Sequence, residues 1–402
     1  MARLLSGLER GEPPLDSDLL AAMTVGRDLW LDRYRANILE TLLPEPPEGA
    51  GSSKVKVLVG PEGCGKSHLL RCAAQDAVDL GYQVAHLSAR DIGHRLNDIR
   101  GLYRTVAARL DLERLVDGLC RKVVDGLGYR DIYGGYGALV PLLEERGIPP
   151  EDARRDIREE IGKAFRNTDL LPGFAAFASR VVRARLIQGR TELAALYLKW
   201  LKGAKLERSE KTQTGQFDVL QKSTARAWLT SLSNLLRLGG ARGLVVVIDD
   251  LDILIETDPI TSKPAYSKAQ AQDTLELIRQ LIDEAEVLPH FALLLAARPD
   301  VVENMSRGFK GYEALWMRLQ TGLVASPRFN ALADLVDVAR HLDSMGPKLP
   351  STVSDRLAEA LHQSGFGQRP RPGSWGSAAW PLRQAVVETA ALVSAEEEDF
   401  VS

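Results

Sequence analysis

The chain has 402 residues, of which 45% are hydrophobic and 26% charged, and its formal net charge is −3. This composition is that of a globular protein of two or three domains, and it excludes nucleic-acid binding through overall basicity. No apolar run reaches the ~18 residues of a membrane span, and the N-terminus lacks the apolar core of a signal peptide. The three cysteines form no CxxC pair and predict neither a zinc site nor a disulfide framework. We therefore expect a cytoplasmic protein.

The chain begins with a lead-in that we assign to residues 1–53. A helix is expected over Thr24–Leu43, because side chains of similar character recur there at helical spacing. The run PEPPEGAGSS at Pro44–Ser53 is rich in proline and glycine and predicts a linker. The folded core is therefore expected to begin at residue 54.

Strand and helix signals alternate at the start of the core. Lys54–Val59 and Tyr82–Ala89 are predicted strands, and a helix that ends near Leu80 separates them. This alternation predicts a parallel α/β sheet. Residues 54–94 would form its first half.

A long segment without strand signals interrupts this sheet. Residues 95–240 are helical in pattern apart from the run GLGYRDIYGGYG, and such a segment is too long for a loop, so we expect a helical insertion. Within it, the segment Arg180–Arg226 holds eleven Lys/Arg residues against four acids, a net charge of +7. This basic segment is either a solvated helix surface or a docking surface for DNA or an acidic partner.

The sheet resumes after the insertion, over residues 241–328. Strands are expected at Leu244–Asp249 and Phe291–Pro299, with a last short strand at Thr321–Ser326. Residues 329–402 are again helical in pattern. They predict a helical lid that follows the sheet.

The first strand runs into GPEGCGKS, a full match to the phosphate-loop pattern GxxxxGK[ST]. Its glycines let the backbone turn N–H groups toward a β-phosphate, and the helix that follows adds its positive end. Lys66 is expected to reach the β- and γ-phosphates, and the Ser67 hydroxyl to bind Mg²⁺. The residues expected to contact ATP here are Gly60, Pro61, Glu62, Gly63, Cys64, Gly65, Lys66, Ser67 and His68.

Five apolar residues, Leu244–Ile248, run into two aspartates, as expected of a buried parallel strand that ends at a ligand site. Asp249 would complete the Mg²⁺ shell. Asp250 would lie beside the attacking water as general base, although it is one methylene shorter than glutamate, and a misplacement of about 1 Å can cost ~100-fold in rate. Asp252 is expected to cap or pair locally. The alternative is that these acids only mark a polar strand exit.

Two arginines are further candidates. Arg298 ends the strand Phe291–Pro299, where a polar side chain would lie beside the γ-phosphate; alternatively it is a surface residue before a proline. Arg318 lies near the end of a short predicted helix, Glu313–Gln320. In a ring assembly Arg318 would reach a neighbour's γ-phosphate. In a single chain it would pair with Glu313 or another acid.

In this order, the motifs resemble the AAA+ superfamily, and within it the origin-recognition and STAND-like branches. A closer resemblance covers most of the chain. The segments GLERGEPP, VGRD, GPEGCGKSHLLR, GLYRTVAARL, GLVVVIDDLDIL, LELIRQLID and GFKGYEALWMRL together look like the P-loop ATP-binding proteins of bacteriophage-exclusion (BREX) defence clusters. The phosphate loop alone is common, whereas its joint order with KGYEALWMRL is much more specific.

The resemblance implies an α/β fold, namely an AAA+-type P-loop NTPase with a parallel sheet, a large helical insertion and a C-terminal helical lid. Gly26 and Arg27 lie in a segment similar to the GRE box, where backbone near the glycine frames the adenine. The segment WPLRQAVVE is similar to a lid helix whose arginine faces the nucleotide, which makes Arg383 the candidate. The relatives typically have Asp-Glu at the acidic strand, so Asp250 departs from their pattern, and we expect slow turnover.

We therefore expect an ATPase that binds ATP with Mg²⁺, hydrolyses it slowly and acts in anti-phage defence. Its expected partners are further copies of itself or other defence proteins. The alternative is a nucleotide-gated binding module with negligible turnover, which recruits DNA or a protein through the basic segment. A small-molecule kinase is disfavoured by the long insertion and the helical lid.

Overall fold

A computed structural model of the protein describes most of the chain up to residue 339. The described residues are 27–40, 54–90, 96–135, 137–166, 168–189, 191–258, 260–283, 290–319 and 335–339, with the single positions 13, 17, 20, 21, 24 and 288. Several predicted features lie outside them: the linker up to residue 53, the strand Thr321–Ser326, Gly26, Arg383 and the lid apart from residues 335–339.

The core is built from five strands and the helices that flank them. The strands are β1 (Lys54–Val59), β2 (Gln83–Ser88), β3 (Leu244–Asp249), β4 (Phe291–Ala297) and β5 (Leu335–Asp337). The helices are α1 (Leu31–Tyr34), α2 (Lys66–Asp79), α11 (Lys268–Asp283), α12 (Pro299–Glu303) and α13 (Glu313–Leu319). Tighter or wider helical turns lie at Arg27–Leu29, Arg35–Leu39 and Leu251–Leu254. The helix predicted over Thr24–Leu43 corresponds to the helical turns from Arg27 to Leu39.

The sheet has the strand order β2-β3-β4-β1-β5, and all its pairs are parallel. The predicted parallel sheet is therefore confirmed. Strand β5 was not predicted; it pairs with β1 and lies in the segment 329–402 that the sequence analysis assigned to the lid. Because β4 lies between β1 and β3, the carboxyl end of β4 separates the phosphate loop from the acidic strand end.

The central strands are buried on both faces of the sheet. Val55, Val57 and Val59 of β1 face one apolar cluster, whereas Leu58 faces the other, as the two-residue period of a strand requires. The lead-in helices and α2 cover the second face, while α11 and the insertion cover the first. This double burial explains why the strands are nearly unbroken apolar runs.

The predicted helical insertion is present between β2 and β3. Its helices are α3 (Ile99–Arg109), α4 (Leu112–Gly126), α5 (Leu139–Glu144), α6 (Pro150–Ala164), α7 (Pro172–Arg183), α8 (Thr191–Leu201), α9 (Arg208–Thr214) and α10 (Ala225–Leu238), with a wider turn at Ala184–Gln188. At its centre is an aromatic cluster of Tyr103, Phe174, Phe177, Trp200 and Trp228. The Tyr103 hydroxyl donates to Leu201 O at 2.7 Å and Trp200 Nε1 donates to Asp218 O at 2.8 Å, so the polar ends of these rings are paired.

Within the described residues, no helix combines the length and the apolar character needed to cross a membrane.

Candidate nucleotide-binding site

The phosphate loop joins the end of β1 to the start of α2, as the motif predicts. Gly63 and Gly65 adopt φ angles of 83° and 88°, in the left-handed region that glycine enters at little cost. A Cβ added at Gly60 would lie 2.4 Å from Cys64 Sγ, so that position has no room for a side chain. The loop is therefore a tightly wound backbone turn, and Gly65 is the N-cap of the 14-residue helix α2.

Two side chains of the loop have defined surroundings. Lys66 Nζ donates to Gly60 O at 2.9 Å and to Pro61 O at 3.1 Å, so the ammonium group lies over the loop itself. Burial raises the pKa of the Cys64 thiol to about 11. A thiol that stays protonated at neutral pH is a poor nucleophile, which agrees with a space-filling role for Cys64.

The acidic end of β3 is shaped by an unusual backbone conformation. Asp250 has a φ angle of 61°, a left-handed value that costs energy for a residue other than glycine and is frequent at functional sites. The Asp250 N–H donates to Asp249 Oδ1 at 2.8 Å. This turn directs the two carboxylates differently, since Asp249 is buried whereas the Asp250 side chain is 37% exposed.

Two residues from β2 and the turn after it hold Asp250, and the sequence analysis missed both. Ser88 is aligned with Asp249 across the parallel pair β2–β3, and its hydroxyl donates to Asp250 Oδ2 at 2.6 Å. Arg90 Nε lies 3.8 Å from Asp250 Oδ1. The run Ser-Ala-Arg at the end of a predicted strand was the available signal, but it gains meaning only from the strand register.

Arg298 is placed at the end of β4, between the phosphate loop and the acid pair. Its backbone N–H donates to Asp252 Oδ1 at 2.6 Å, and its guanidinium donates to the carboxylate of Asp300 at 3.1 and 3.0 Å. Arg298 Nη1 also lies 3.5 Å from Glu256 Oε1. Asp252 was expected to cap or pair locally, and its partner in the structure is Arg298, which is 46 positions away in the sequence but adjacent in space.

Charges of both signs converge at this edge of the sheet. Glu256 also accepts from Arg90 Nη2 at 2.6 Å, so it bridges the arginines that follow β2 and β4. Burial raises the pKa of Asp252, although the Arg298 N–H and the nearby Lys66 ammonium oppose that shift. The influence of Lys66 on Asp252 indicates that the loop and the acidic strand share one electrostatic site.

The lead-in packs against α2 through polar contacts. Arg27 Nη2 donates to both carboxylate oxygens of the buried Asp76, at 2.9 and 2.6 Å, and Thr24 Oγ1 lies 2.9 Å from His68 Nε2. Burial lowers the pKa of His68 to about 4, so this imidazole is neutral at physiological pH. The described contacts of Arg27 and His68 are within the chain, and their contact with ATP stays a prediction.

Arg318 lies on α13, away from these strand ends. Its guanidinium donates to both carboxylate oxygens of Asp283 and to Ala314 O. The sequence analysis offered either a contact with a neighbouring subunit or an ion pair within the chain. The structure contains an ion pair within the chain, and the acid is Asp283, not Glu313. A role toward a neighbouring subunit stays a prediction.

The residues at this edge fit a nucleotide with Mg²⁺. Among the described residues, no group of three or more His, Cys, Asp or Glu side chains could hold a metal ion. Mg²⁺ in phosphate-loop proteins needs no such group, because phosphate and water oxygens join one or two protein ligands. Ser67 and Asp249 supply hard oxygen ligands of this kind, and a Cβ added at Gly65 would meet nothing within 4 Å, so there is open space beside the loop at the start of α2.

These features define an α/β P-loop protein of the AAA+ type. The wound phosphate loop and the acidic strand end lie on one edge of a parallel sheet, with an arginine between them. The model of the family described as "BREX system ATP-binding protein BrxC/D" matches residues 3–369. The chain therefore belongs to this family, and the resemblance drawn from the sequence is confirmed.

One curated protein is similar in sequence to part of the chain. The chain is 27% identical over 135 residues to the replication factor C large subunit of Staphylothermus marinus (strain ATCC 43588 / DSM 3639 / JCM 9404 / F1). The match covers 34% of this chain and 31% of the relative, so the chain spans about a third of that relative's length. No solved structure matches the chain.

Proposed function

We propose that the protein is an ATPase of slow turnover that binds ATP with Mg²⁺ and acts with partners in anti-phage defence. Membership of a BREX ATP-binding family supports both ATP binding and the defence role. The observation that carries the proposal is the convergence of Lys66, Asp249, Asp250 and Arg298 at the carboxyl ends of three adjacent parallel strands. This is the edge at which α/β sheets bind ligands.

Each of these residues has a distinct proposed role. The N–H groups of residues 63–67 and the start of α2 hold the β-phosphate, and Lys66 turns from the loop carbonyls to the γ-phosphate. Ser67 and Asp249 hold the Mg²⁺ ion, which would neutralise charge on the phosphate oxygens. Arg298, placed by β4, lies on the side of the γ-phosphate.

The surroundings of Asp250 account for slow turnover. One carboxylate oxygen accepts the Ser88 hydroxyl at 2.6 Å and the other lies 3.8 Å from Arg90. A base must be within hydrogen-bond reach of the water it deprotonates, and Asp250 is shorter than glutamate. Hydrolysis would therefore require Asp250 to leave these contacts, for example when a partner binds.

The direct test is ATP turnover by purified wild type and Lys66→Ala. We expect Lys66→Ala to lower the rate at least about 100-fold, because the γ-phosphate loses its cationic partner in a water-poor site. Lys54→Ala, which removes an exposed lysine at the start of β1, is the matched control and should keep the wild-type rate. Equal turnover in Lys66→Ala and wild type would remove the claim of an enzyme.

A second pair of variants tests the role of Asp250. Asp250→Glu should raise turnover, because the longer side chain carries the carboxylate toward the attacking water. Ser88→Ala should release the carboxylate without lengthening it and should raise the rate less. An Asp250→Glu rate at or below that of the wild type would count against Asp250 as an imperfect base.

A second candidate function is a nucleotide-gated binding module with negligible turnover. The contacts of Asp250 with Ser88 and Arg90 favour it, since they occupy the carboxylate. In that case ATP should change partner affinity, and Asp250→Ala should change it little. Partner binding that is the same with and without ATP would exclude the switch.

Self-association decides whether Arg318 acts on a neighbouring subunit. We propose that ATP promotes an assembly in which Arg318 leaves Asp283 and approaches the next subunit's γ-phosphate. Molecular mass in solution should then rise on addition of ATP in the wild type but not in Lys66→Ala. A monomer under both conditions would leave Arg318 as a structural partner of Asp283.

A further inference from the structure

The basic segment of the insertion contains two kinds of cation. Some cations are used inside the fold: Arg180 donates to Thr214 O and Gly215 O, Arg185 pairs with Glu113, and Lys199 pairs with Glu210. Others are exposed on or beside α9, namely Lys202, Lys205, Arg208 and Lys222. Arg183 and Arg226 of the same segment are exposed as well, so the group around α9 is one of the places where the charge of the segment reaches solvent.

An exposed aromatic loop lies among these outer cations. Residues 215–224 connect α9 to α10, and there Phe217 is 67% exposed and Val219 is 36% exposed. We call Phe217, Val219, Lys202, Lys205, Arg208 and Lys222 the basic–aromatic face. A single exposed apolar side chain is common on a soluble domain; the informative feature is the combination of an exposed aromatic ring with exposed cations, which is the combination found in single-strand binding sites.

The aromatic loop is anchored to the insertion core. Trp200 Nε1 donates to Asp218 O at 2.8 Å, between the two exposed apolar side chains. Leu220 is 4% exposed, and a Cβ added at Gly203 would lie 2.8 Å from its Cδ2. These contacts hold the loop beside the turn that carries Lys202 and Lys205, so the face is presented by a fixed backbone.

The nearest acids are partly withdrawn from this face. Glu210 is bound by Lys199 and by the backbone N–H of Glu207. A Cβ added at Gly173, in the first turn of α7, would lie 2.3 Å from Asp218 Oδ2, so the Asp218 carboxylate is directed toward that helix start. Glu207 and Asp218 are nevertheless exposed, so the face presents four exposed cations against two exposed acids, and its net positive charge suits a polyanion.

Helix α3 connects this face to the core. Asp111, just after α3, exchanges hydrogen bonds with Gln83 at the start of β2, so α3 runs antiparallel to β2. The N-cap of α3, Asp98, therefore lies toward the carboxyl end of β2. Arg104 Nε on α3 donates to Gly203 O at 3.2 Å, so the turn that carries Lys202 packs against the middle of this helix.

From these observations we infer that the basic–aromatic face binds single-stranded nucleic acid. Cations that track the phosphates, combined with an aromatic ring on which a base stacks, are the chemistry of such sites. A duplex hides its base faces, so it would use the cations but not the ring of Phe217. This inference identifies the class of partner for the nucleotide-gated function proposed above. Only an effect of ATP on binding rests on that proposed function; binding itself does not.

The test is fluorescence anisotropy of the full chain with labelled oligo(dT) of about 16 nucleotides, at low salt and without nucleotide. We expect Phe217→Ala to weaken binding about tenfold and Phe217→Trp to retain it, because a base stacks on either ring. The double variant Lys202→Ala/Lys205→Ala should lower the slope of log K against log salt by about 1.4. The matched control Lys122→Ala/Arg158→Ala removes two exposed cations from α4 and α6 and should behave as wild type.

The possible outcomes separate the alternatives. No binding of oligo(dT) by wild type, or equal losses in the control and Lys202/Lys205 variants, would overturn the inference. A loss in Lys202→Ala/Lys205→Ala without a loss in Phe217→Ala, or tighter binding of a duplex of the same length, would assign the face to phosphates alone and overturn the single-strand specificity. Lys66→Ala, assayed in parallel, should keep oligo(dT) binding, so failure of ATP binding is distinguished from failure of this face.

Discussion

The α/β core and the helical insertion are organised by different interactions. In the core, apolar strands are buried on both faces, and the polar side chains collect where the strands end, in a network from Ser88 to Arg298. In the insertion, an aromatic cluster lies at the centre, and exposed cations such as Lys202 and Lys205 lie outside it, although Arg185 is buried. The comparison agrees with the two proposals made above, namely nucleotide chemistry at the edge of the core and a binding surface on the insertion.

This difference also predicts how the two regions respond to substitution. The strand-end network of the core consists of charges and hydrogen bonds, whose balance depends on pH and on bound nucleotide. The insertion depends on packing of large rings, which is insensitive to both. Variants in each region should therefore separate the two kinds of stabilisation.

The largest expected effect is on the aromatic cluster of the insertion. Trp228 is 3% exposed, and its ring centroid lies 4.8 Å from that of Trp200 and 5.2 Å from that of Phe174. Trp228→Ala should lower the free energy of unfolding by about 4 kcal/mol, measured by denaturant titration. Phe217→Ala, which removes an exposed ring, should change it by less than about 0.5 kcal/mol. Similar losses in both variants would contradict the division into packed centre and free face.

The next effect is a pH dependence that belongs to the core. The pKa of His68 is lowered from 6.5 to about 4 by burial, so between these values the unfolded chain binds a proton that the folded chain does not. Stability should therefore fall as pH decreases from 6.5 toward 4, by about 1–3 kcal/mol from this group. Thermal melts of wild type and His68→Gln over that range measure it.

The difference between these two proteins isolates His68, because the buried His86, whose pKa is also lowered, is present in both. His68→Gln should show the shallower acid decline. Identical declines would mean that burial does not hold His68 neutral in the folded protein.

Much of the core could be predicted from the sequence because its signals are local. Strands β3 and β4 are almost entirely apolar, β1 and β2 mix apolar with polar residues in short stretches, and the phosphate loop is a contiguous motif. Strand β5 escaped prediction because three residues, Leu335–Asp337, are too few to establish a periodicity. Nothing in its composition distinguishes it from the helical pattern around it.

The missed features of the site are contacts between distant segments. Ser88 and Asp250 are 162 positions apart and meet only because β2 and β3 are paired in one register. Arg27 and Asp76 are likewise far apart in the sequence, by 49 positions, and they meet only because the lead-in packs against α2. In the insertion, the sequence predicted a charge of +7 but not which cations are internal; Arg185 is buried against Glu113, whereas Lys202 is exposed.

The smallest expected effect concerns the ion pairs that hold the outer helices of the core. Arg279 hydrogen bonds, with help from Tyr312, lower the pKa of Glu276 to about 2, and these contacts link α11 to the segment before α13. Because the pKa of Glu276 is lowered, its contribution to the free energy of unfolding is present above pH 4.5 and is lost as pH falls toward 2.

Glu276→Gln should reduce stability at pH 7 by only about 0.5–1 kcal/mol, since the pair is partly exposed and screened. Near pH 2.5 the difference between Glu276→Gln and wild type should shrink to roughly a quarter of its value at pH 7, whereas the loss in Trp228→Ala should persist at every pH at which the chain stays folded. A pH-independent loss in Glu276→Gln would mean that packing, not charge, fastens α11, and the contrast between core and insertion would then fail at this helix.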